Sequence, residues 1–211
     1  MAYDLQEQEQ LEELKGWWKD YGRLVLIGVA AGALAIAGFQ GWRYYRHSQA
    51  LAAGALYEQL EQAERAGDRG KVRDIAGSVV ARYSSTPYAS FAALGAARAA
   101  FEAGDLAEAK ARLTWVIENA RREEFRDVAR LRLAGVLLDE KGYDEALKLL
   151  EVKPGESMSA LYADLRGDIL LAQGKHADAR NAYQLALDRS EAGSPYRSTV
   201  QLKLDSLGES K

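Results

Sequence analysis

The stretch Leu24–Trp42, LVLIGVAAGALAIAGFQGW, runs for nineteen residues without a charge and is closed by Arg23 and Arg43. A helix of this length, rising about 1.5 Å per residue, would span roughly 28 Å, close to the hydrocarbon thickness of a bilayer. Backbone polar groups in lipid must be hydrogen-bonded within their own segment, so a single apolar span has to be helical. The stretch therefore predicts one transmembrane helix over residues 24–42.

Aromatic residues flank this span on both sides, where the lipid headgroups would lie. They are Trp17, Trp18 and Tyr21 before it, and Trp42, Tyr44 and Tyr45 after it. Two alternatives are a buried helix of a soluble core and a cleaved signal peptide. No other segment could enclose so long an uncharged helix, and six acidic residues precede the span where a signal peptide has a short basic region. Both alternatives are therefore less favoured than a membrane anchor.

Small residues within the span give it a surface on which another helix could pack. Gly28 and Gly32 form a small-xxx-small pair, and Gly38 adds a third notch. Such pairs let two membrane helices approach closely. The alternative is that these glycines simply face lipid.

The charge distribution excludes some partner classes. Residues 1–23 carry three basic and six acidic groups, and the remainder carries 25 of each, which together give the formal net charge of −3. Because neither part of the chain has an excess of basic residues, the charge totals argue against nucleic acid as the main partner. Lys and Arg are enriched on the cytoplasmic side of membrane helices. Three of them precede the span and two follow it, which favours a cytoplasmic N-terminus only slightly.

The segment 1–23 is predicted to be an amphipathic helix that leads into the membrane. Leu11, Leu14, Trp18 and Tyr21 fall at helical spacing on one side of it. A disordered acidic tail is an equally good interpretation of residues 1–10.

Beyond the span, the remaining segment 43–211 reads as helical hairpins that repeat. Ala109, Ala146 and Ala179 recur in the turns at spacings of 37 and 33 residues, near the 34-residue tetratricopeptide (TPR) period. The predicted fold is all-α: a single N-terminal transmembrane helix followed by an α-solenoid of TPR-like hairpins. The predicted units are 48–83, 88–120, 125–152 and 158–190, with a capping helix at 196–207.

Glycine and alanine positions explain how each hairpin would close. A glycine in the turn lets the chain reverse within a few residues, and a small residue seven positions earlier lets the two helices approach. The predicted turn glycines are Gly104, Gly142 and Gly174. The predicted packing positions are Ala97, Gly135 and Gly167.

No arrangement of residues predicts catalysis. The chain has no cysteine and two histidines, His47 and His176, and neither lies in a pattern with metal-ligand spacing. No serine sits in a nucleophile elbow. We therefore expect no enzyme activity, no metal, no cofactor and no small-molecule substrate.

Binding of other proteins is the remaining expectation. A TPR solenoid lines its concave face with residues of the first helix of each hairpin, and mixed charge with aromatics suits an extended peptide or a partner domain. The alternative is that these residues form an ordinary solvated surface. The predicted face consists of Phe91, Arg98, Arg132, Asp139, Asp164 and Asp168.

Three short motifs, in their order along the chain, resemble a known family. They are Gly41-Trp42-Arg43-Tyr44-Tyr45, Ala163-Asp164-Leu165-Arg166-Gly167-Asp168 and Leu202-Lys203-Leu204-Asp205. The whole chain resembles the ancillary SecYEG translocon subunit family (the YfgM type), which has one N-terminal membrane helix and a periplasmic TPR-like domain.

That resemblance implies a place and partners. The protein would sit in the bacterial inner membrane with a cytoplasmic N-terminus and a periplasmic C-terminal domain. It would lie beside the SecYEG translocon, pair with the membrane-anchored chaperone PpiD, and help transfer translocated polypeptides to periplasmic chaperones. The alternative function is a TPR assembly scaffold for envelope or cell-division machinery, in which the membrane helix is only a tether.

Overall fold

The computed structural model describes residues 2–208, with side chains from residue 11 onward. These residues form helices and no strand, which confirms the predicted all-α fold. The helices are α1 (Ala2–Arg65), α2 (Arg69–Tyr83), α3 (Pro87–Glu102), α4 (Leu106–Asn119), α5 (Glu123–Asp139), α6 (Tyr143–Leu149), α7 (Glu156–Ala172), α8 (His176–Arg189) and α9 (Pro195–Ser206).

The chain divides into two compact units, one up to Gln49 and one from Ala50. The first unit contains the apolar stretch 24–42, in which no residue is buried. The helix is long and apolar enough to cross a membrane. Leu11, Leu14, Trp18 and Tyr21 of the predicted amphipathic segment are exposed, whereas the side chains of residues 1–10 lie outside the described residues.

The second unit is a stack of helical hairpins. Its hairpins α3–α4, α5–α6 and α7–α8 each turn through three residues, and each packs on its neighbour through contacts of α2 with α3, α4 with α5 and α6 with α7. The first helices of successive hairpins also touch, α3 with α5 and α5 with α7. Since each apolar face is covered by the next pair, the stack is a solenoid.

The three turns share one backbone conformation, but not one residue type. Gly104 and Gly174 hold the left-handed position with φ of 79° and 75°, and Lys141 holds it in the middle hairpin with φ of 63°. Gly142 follows with φ of −79° as the N-cap of α6. Gly142 therefore lies in the turn, as predicted, but Lys141 and not Gly142 occupies its left-handed position.

This change of register also corrects one packing position. Counting back seven residues from the left-handed position gives Ala97, Ala134 and Gly167, all of which are buried. Gly135 is only half-buried, and a Cβ added to it would meet no atom within 4 Å. Gly135 is thus not the point of close helix approach in its hairpin.

Small and branched apolar side chains form the core of this unit. A central cluster joins α3, α4, α5 and α7 through residues such as Val116, Leu133 and Ile169. A second cluster joins α7, α8 and α9 around Tyr183, and a third packs Leu60 of α1 against α2 and α3. The last helix is therefore part of the packed stack.

Candidate functional site

A groove of about 540 Å³ opens between α3, α4 and α5. Its apolar lining includes Phe101, Leu113 and Leu138. Three of the predicted binding residues, Arg98, Arg132 and Asp139, also line it. The structure therefore brings together half of the predicted face in one place.

The two arginines of this groove differ in how their charge is satisfied. Arg98 Nε donates to a carboxylate oxygen of Glu102 at 2.8 Å, one helical turn away. Arg132 has only a long contact of 3.5 Å from Nη1 to the Leu94 carbonyl oxygen, and no ion pair of Arg132 occurs among the described residues. Partial burial, together with the nearby positive charge of Arg98, lowers the pKa of the Arg132 guanidinium. Arg132 therefore has no counter-ion among the described residues.

Phe91 lies elsewhere, in an aromatic cluster. Its ring packs edge-to-face on Phe125 with centroids 4.8 Å apart, and it lies 5.8 Å from the ring of Tyr57. Aromatic pairs of this geometry stabilise helix packing beyond their buried area. The observed contacts of Phe91 thus join α1, α3 and α5.

Asp164 and Asp168 of α7 are held within the fold. Lys203 Nζ of α9 donates to Asp164 at 2.9 Å and to Asp168 at 2.8 Å. The hydroxyl of Tyr196 donates to Asp164, and that of Tyr183 donates to Asp168, both at 2.8 Å. Asp164 is only 8% exposed. The two carboxylates therefore fix α9 on α7, and we leave them out of the proposed binding surface.

Sequence reasoning missed this internal role, although a signal was present. Asp164 and Asp168 lie in one of the three motifs quoted above, and Lys203 lies in another. Asp164 and Asp168 are four residues apart and so share one helix face, and a lysine in the last motif could pair with both of them. Only the packing of α9 shows that the pairing forms.

The three glycines of the span have open surroundings in the first unit. A Cβ added to Gly28, Gly32 or Gly38 would meet no atom within 4 Å. At about 100° per residue, Gly28 and Gly32 share a helix face, and Gly38 lies about 120° around the helix from Gly32. Helix geometry therefore groups the first two and separates the third.

Comparisons with known proteins match this architecture over nearly the whole chain. A family model described as a tetratricopeptide repeat-like domain matches residues 15–209. The protein named "Ancillary SecYEG translocon subunit" from Haemophilus influenzae is 33% identical over 98% of this chain and 100% of its own length. Proteins of the same name from Neisseria gonorrhoeae and Escherichia coli are 31% and 30% identical, over 98% and 95% of this chain and 100% and 96% of their own lengths. The chain belongs to the ancillary SecYEG translocon subunit family.

Proposed function

We propose that this protein is a membrane-anchored interaction module of the Sec translocon. One observation carries the proposal: the similarity to proteins named for SecYEG runs through 98% of the chain, membrane helix included. If the membrane helix were only a tether, as in the alternative scaffold function, similarity to these proteins would be needed only in the hairpins and not in the helix. The TPR-like domain and the exposed apolar helix both support a role in contacting other proteins at a membrane.

The membrane helix is proposed to dock against a helix of the translocon or of PpiD. Gly28 and Gly32 lie one turn apart with open surroundings, which supports a close approach of a second helix along that face. The hairpins 43–211 are proposed to lie in the periplasm of the bacterial inner membrane, with residues 1–23 in the cytoplasm. There they would receive translocated polypeptides and help pass them to periplasmic chaperones.

Co-purification in a mild detergent tests the docking. We expect SecY to be recovered with the wild-type chain, and the double variant Gly28→Leu with Gly32→Leu to reduce that recovery about tenfold by blocking close packing. The matched control is Ala30→Leu with Ala37→Leu, which adds similar bulk and apolarity to the opposite helix face. Equal recovery with both double variants would refute docking through the glycine face, and absence of SecY from the wild-type sample would refute the proposed function.

A reporter fused after Lys211 tests the orientation. An enzyme that is active only in the periplasm, such as alkaline phosphatase, should be active in this fusion. A reporter that is active only in the cytoplasm should be inactive at the same position. The reverse pattern would place the hairpins in the cytoplasm and overturn the proposed transfer to periplasmic chaperones.

A further inference from the structure

We propose that the groove between α3 and α5 binds an extended polypeptide segment that carries an acidic and a basic side chain three residues apart, with an apolar side chain between them. This inference deepens the proposed function, because it names the chemistry of the polypeptides that the module contacts. Its occupant is a segment of a partner or client chain, and not a folded surface.

Gly135 keeps this groove open without any packing requirement of its own. A glycine in a helix interior costs about 1 kcal/mol relative to alanine, and the close-packed position of this hairpin is Ala134. A Cβ on Gly135 would meet no atom within 4 Å. No neighbouring residue among those described therefore requires a glycine at this position. The absence of a side chain instead leaves room in the middle of the groove.

Arg132 and Asp139 stand on either side of Gly135 on one face of α5. They are three residues before it and four residues after it, so all three point within about 60° of one another. Neither Arg132 nor Asp139 forms an ion pair among the residues whose side chains are described. Glu102 already compensates Arg98. The groove thus presents one uncompensated charge of each sign.

The separation of these two charges sets the spacing in the ligand. Seven residues along a helix correspond to about 10.5 Å. An extended segment in the polyproline II conformation advances about 3.1 Å per residue and completes one turn in three residues, so side chains three residues apart lie about 9 Å apart on the same face, close to that distance. An acidic residue opposite Arg132 would then place a basic residue opposite Asp139.

The apolar part of the groove explains the residue between them. Phe101 is 41% exposed here, and Leu113 and Leu138 complete the apolar surface. A volume of about 540 Å³ lies within the range of pockets that bury a ligand group. A leucine between the two charged residues would cover the exposed Phe101 ring and lose its own contact with water.

Fluorescence anisotropy on the full-length protein in mild detergent tests this site. The probes are short fluorescein-labelled peptides with the core Glu-Leu-Ala-Lys and the opposite order Lys-Ala-Leu-Glu, because the chain direction in the groove is free. We expect at least one of them to bind, and Gly135→Leu to weaken that binding about tenfold by filling the groove. The matched control is Gly77→Leu in α2, another helical glycine with no atom within 4 Å of an added Cβ.

A charge reversal separates recognition from a structural effect. Arg132→Glu should weaken the binding of whichever of the two peptides binds the wild type by about tenfold, because the glutamate of the peptide would then face a like charge. A peptide in which lysine replaces that glutamate should bind the Arg132→Glu variant at least as well as it binds the wild type. Circular dichroism checks that each variant remains folded.

Two results would overturn the inference. One is no binding of either peptide order, and the other is equal binding by wild type, Gly135→Leu and Arg132→Glu. If SecY still co-purifies with the wild-type protein in that case, the proposed function stands and only the groove assignment fails. Peptide binding without SecY recovery would leave the groove assignment in place and refute the translocon association.

Discussion

Helices α5 and α7 begin successive hairpins of the same stack, yet the structure uses their polar residues in opposite ways. In α7, Asp164 and Asp168 are bound by Lys203, and the ring of Tyr183 covers Gly167. In α5, Arg132, Gly135 and Asp139 face an open groove. The α7 residues stabilise the end of the stack, whereas those of α5 remain available to a ligand.

The largest expected difference comes from placing the same side chain on both helices. Gly167→Leu should lower the free energy of unfolding by about 3 kcal/mol, because even a Cβ there would overlap the buried Tyr183 ring. Gly135→Leu should leave that free energy unchanged or raise it by up to about 1 kcal/mol, since leucine favours a helix interior over glycine. Urea unfolding of the full chain, followed by circular dichroism, measures both. Equal losses in the two variants would mean that the two helices do not differ in this way.

Removal of the cation that joins α7 to α9 is expected to have the next largest effect. Lys203→Met should lower the free energy of unfolding by about 2 kcal/mol, because it leaves two adjacent, partly buried carboxylates without their counterion. The control is Lys148→Met, which alters an exposed lysine of α6. The same urea titration measures both, and a loss no larger than that of the control would contradict the pairing.

The pH dependence of stability sharpens this prediction. Burial lowers the pKa of the Lys203 ammonium, but hydrogen bonds and charge from Asp168 and Asp164 outweigh it and leave the pKa raised. Burial, and then the hydrogen bond to Asp164, raises the pKa of the Tyr196 hydroxyl. Both folded pKa values lie above their unfolded values of about 10, so the stability they contribute is present below about pH 10 and is lost as the pH rises further. Stability of the wild type should therefore fall above pH 10, and Lys203→Met should show a shallower fall.

The smallest expected effect concerns the turns that precede α6 and α8. Lys141→Gly should raise the free energy of unfolding by about 0.5–1 kcal/mol, because glycine adopts the φ of 63° at this position without the strain of a side chain. Gly174→Ala, at the equivalent position of the next hairpin, should lower it by a similar amount. Thermal unfolding of both variants measures the difference. Destabilisation by Lys141→Gly would mean that its side chain makes contacts that outweigh the strain.

Most of the fold was predictable because helix periodicity and turn residues are local signals. Gly104, Gly174 and the proline at residue 195 mark boundaries of the hairpins. The apolar span is recognised from its lack of charged residues. The middle hairpin misled that reasoning, because Gly142 stands next to the left-handed position instead of in it. One displaced glycine moved the predicted close approach from Ala134 to Gly135.

The candidate site was predictable only as a set of helix faces. Arg98, Arg132 and Asp139 were found from their register in the repeats, and the structure places them around one groove. The same register placed Asp164 and Asp168 on the binding face. The register did not reveal their contact with Lys203, because Lys203 is 39 residues beyond Asp164 in the chain.

The amino-acid sequence alone determined the helical repeats, the apolar span and the types of residue on each helix face, because these depend on spacings of a few residues and on transfer of side chains from water. Only the tertiary structure decided which charges meet a counterion and which glycine meets a neighbouring side chain. Those outcomes depend on contacts between helices that are distant along the chain, and no local spacing encodes the distance between them.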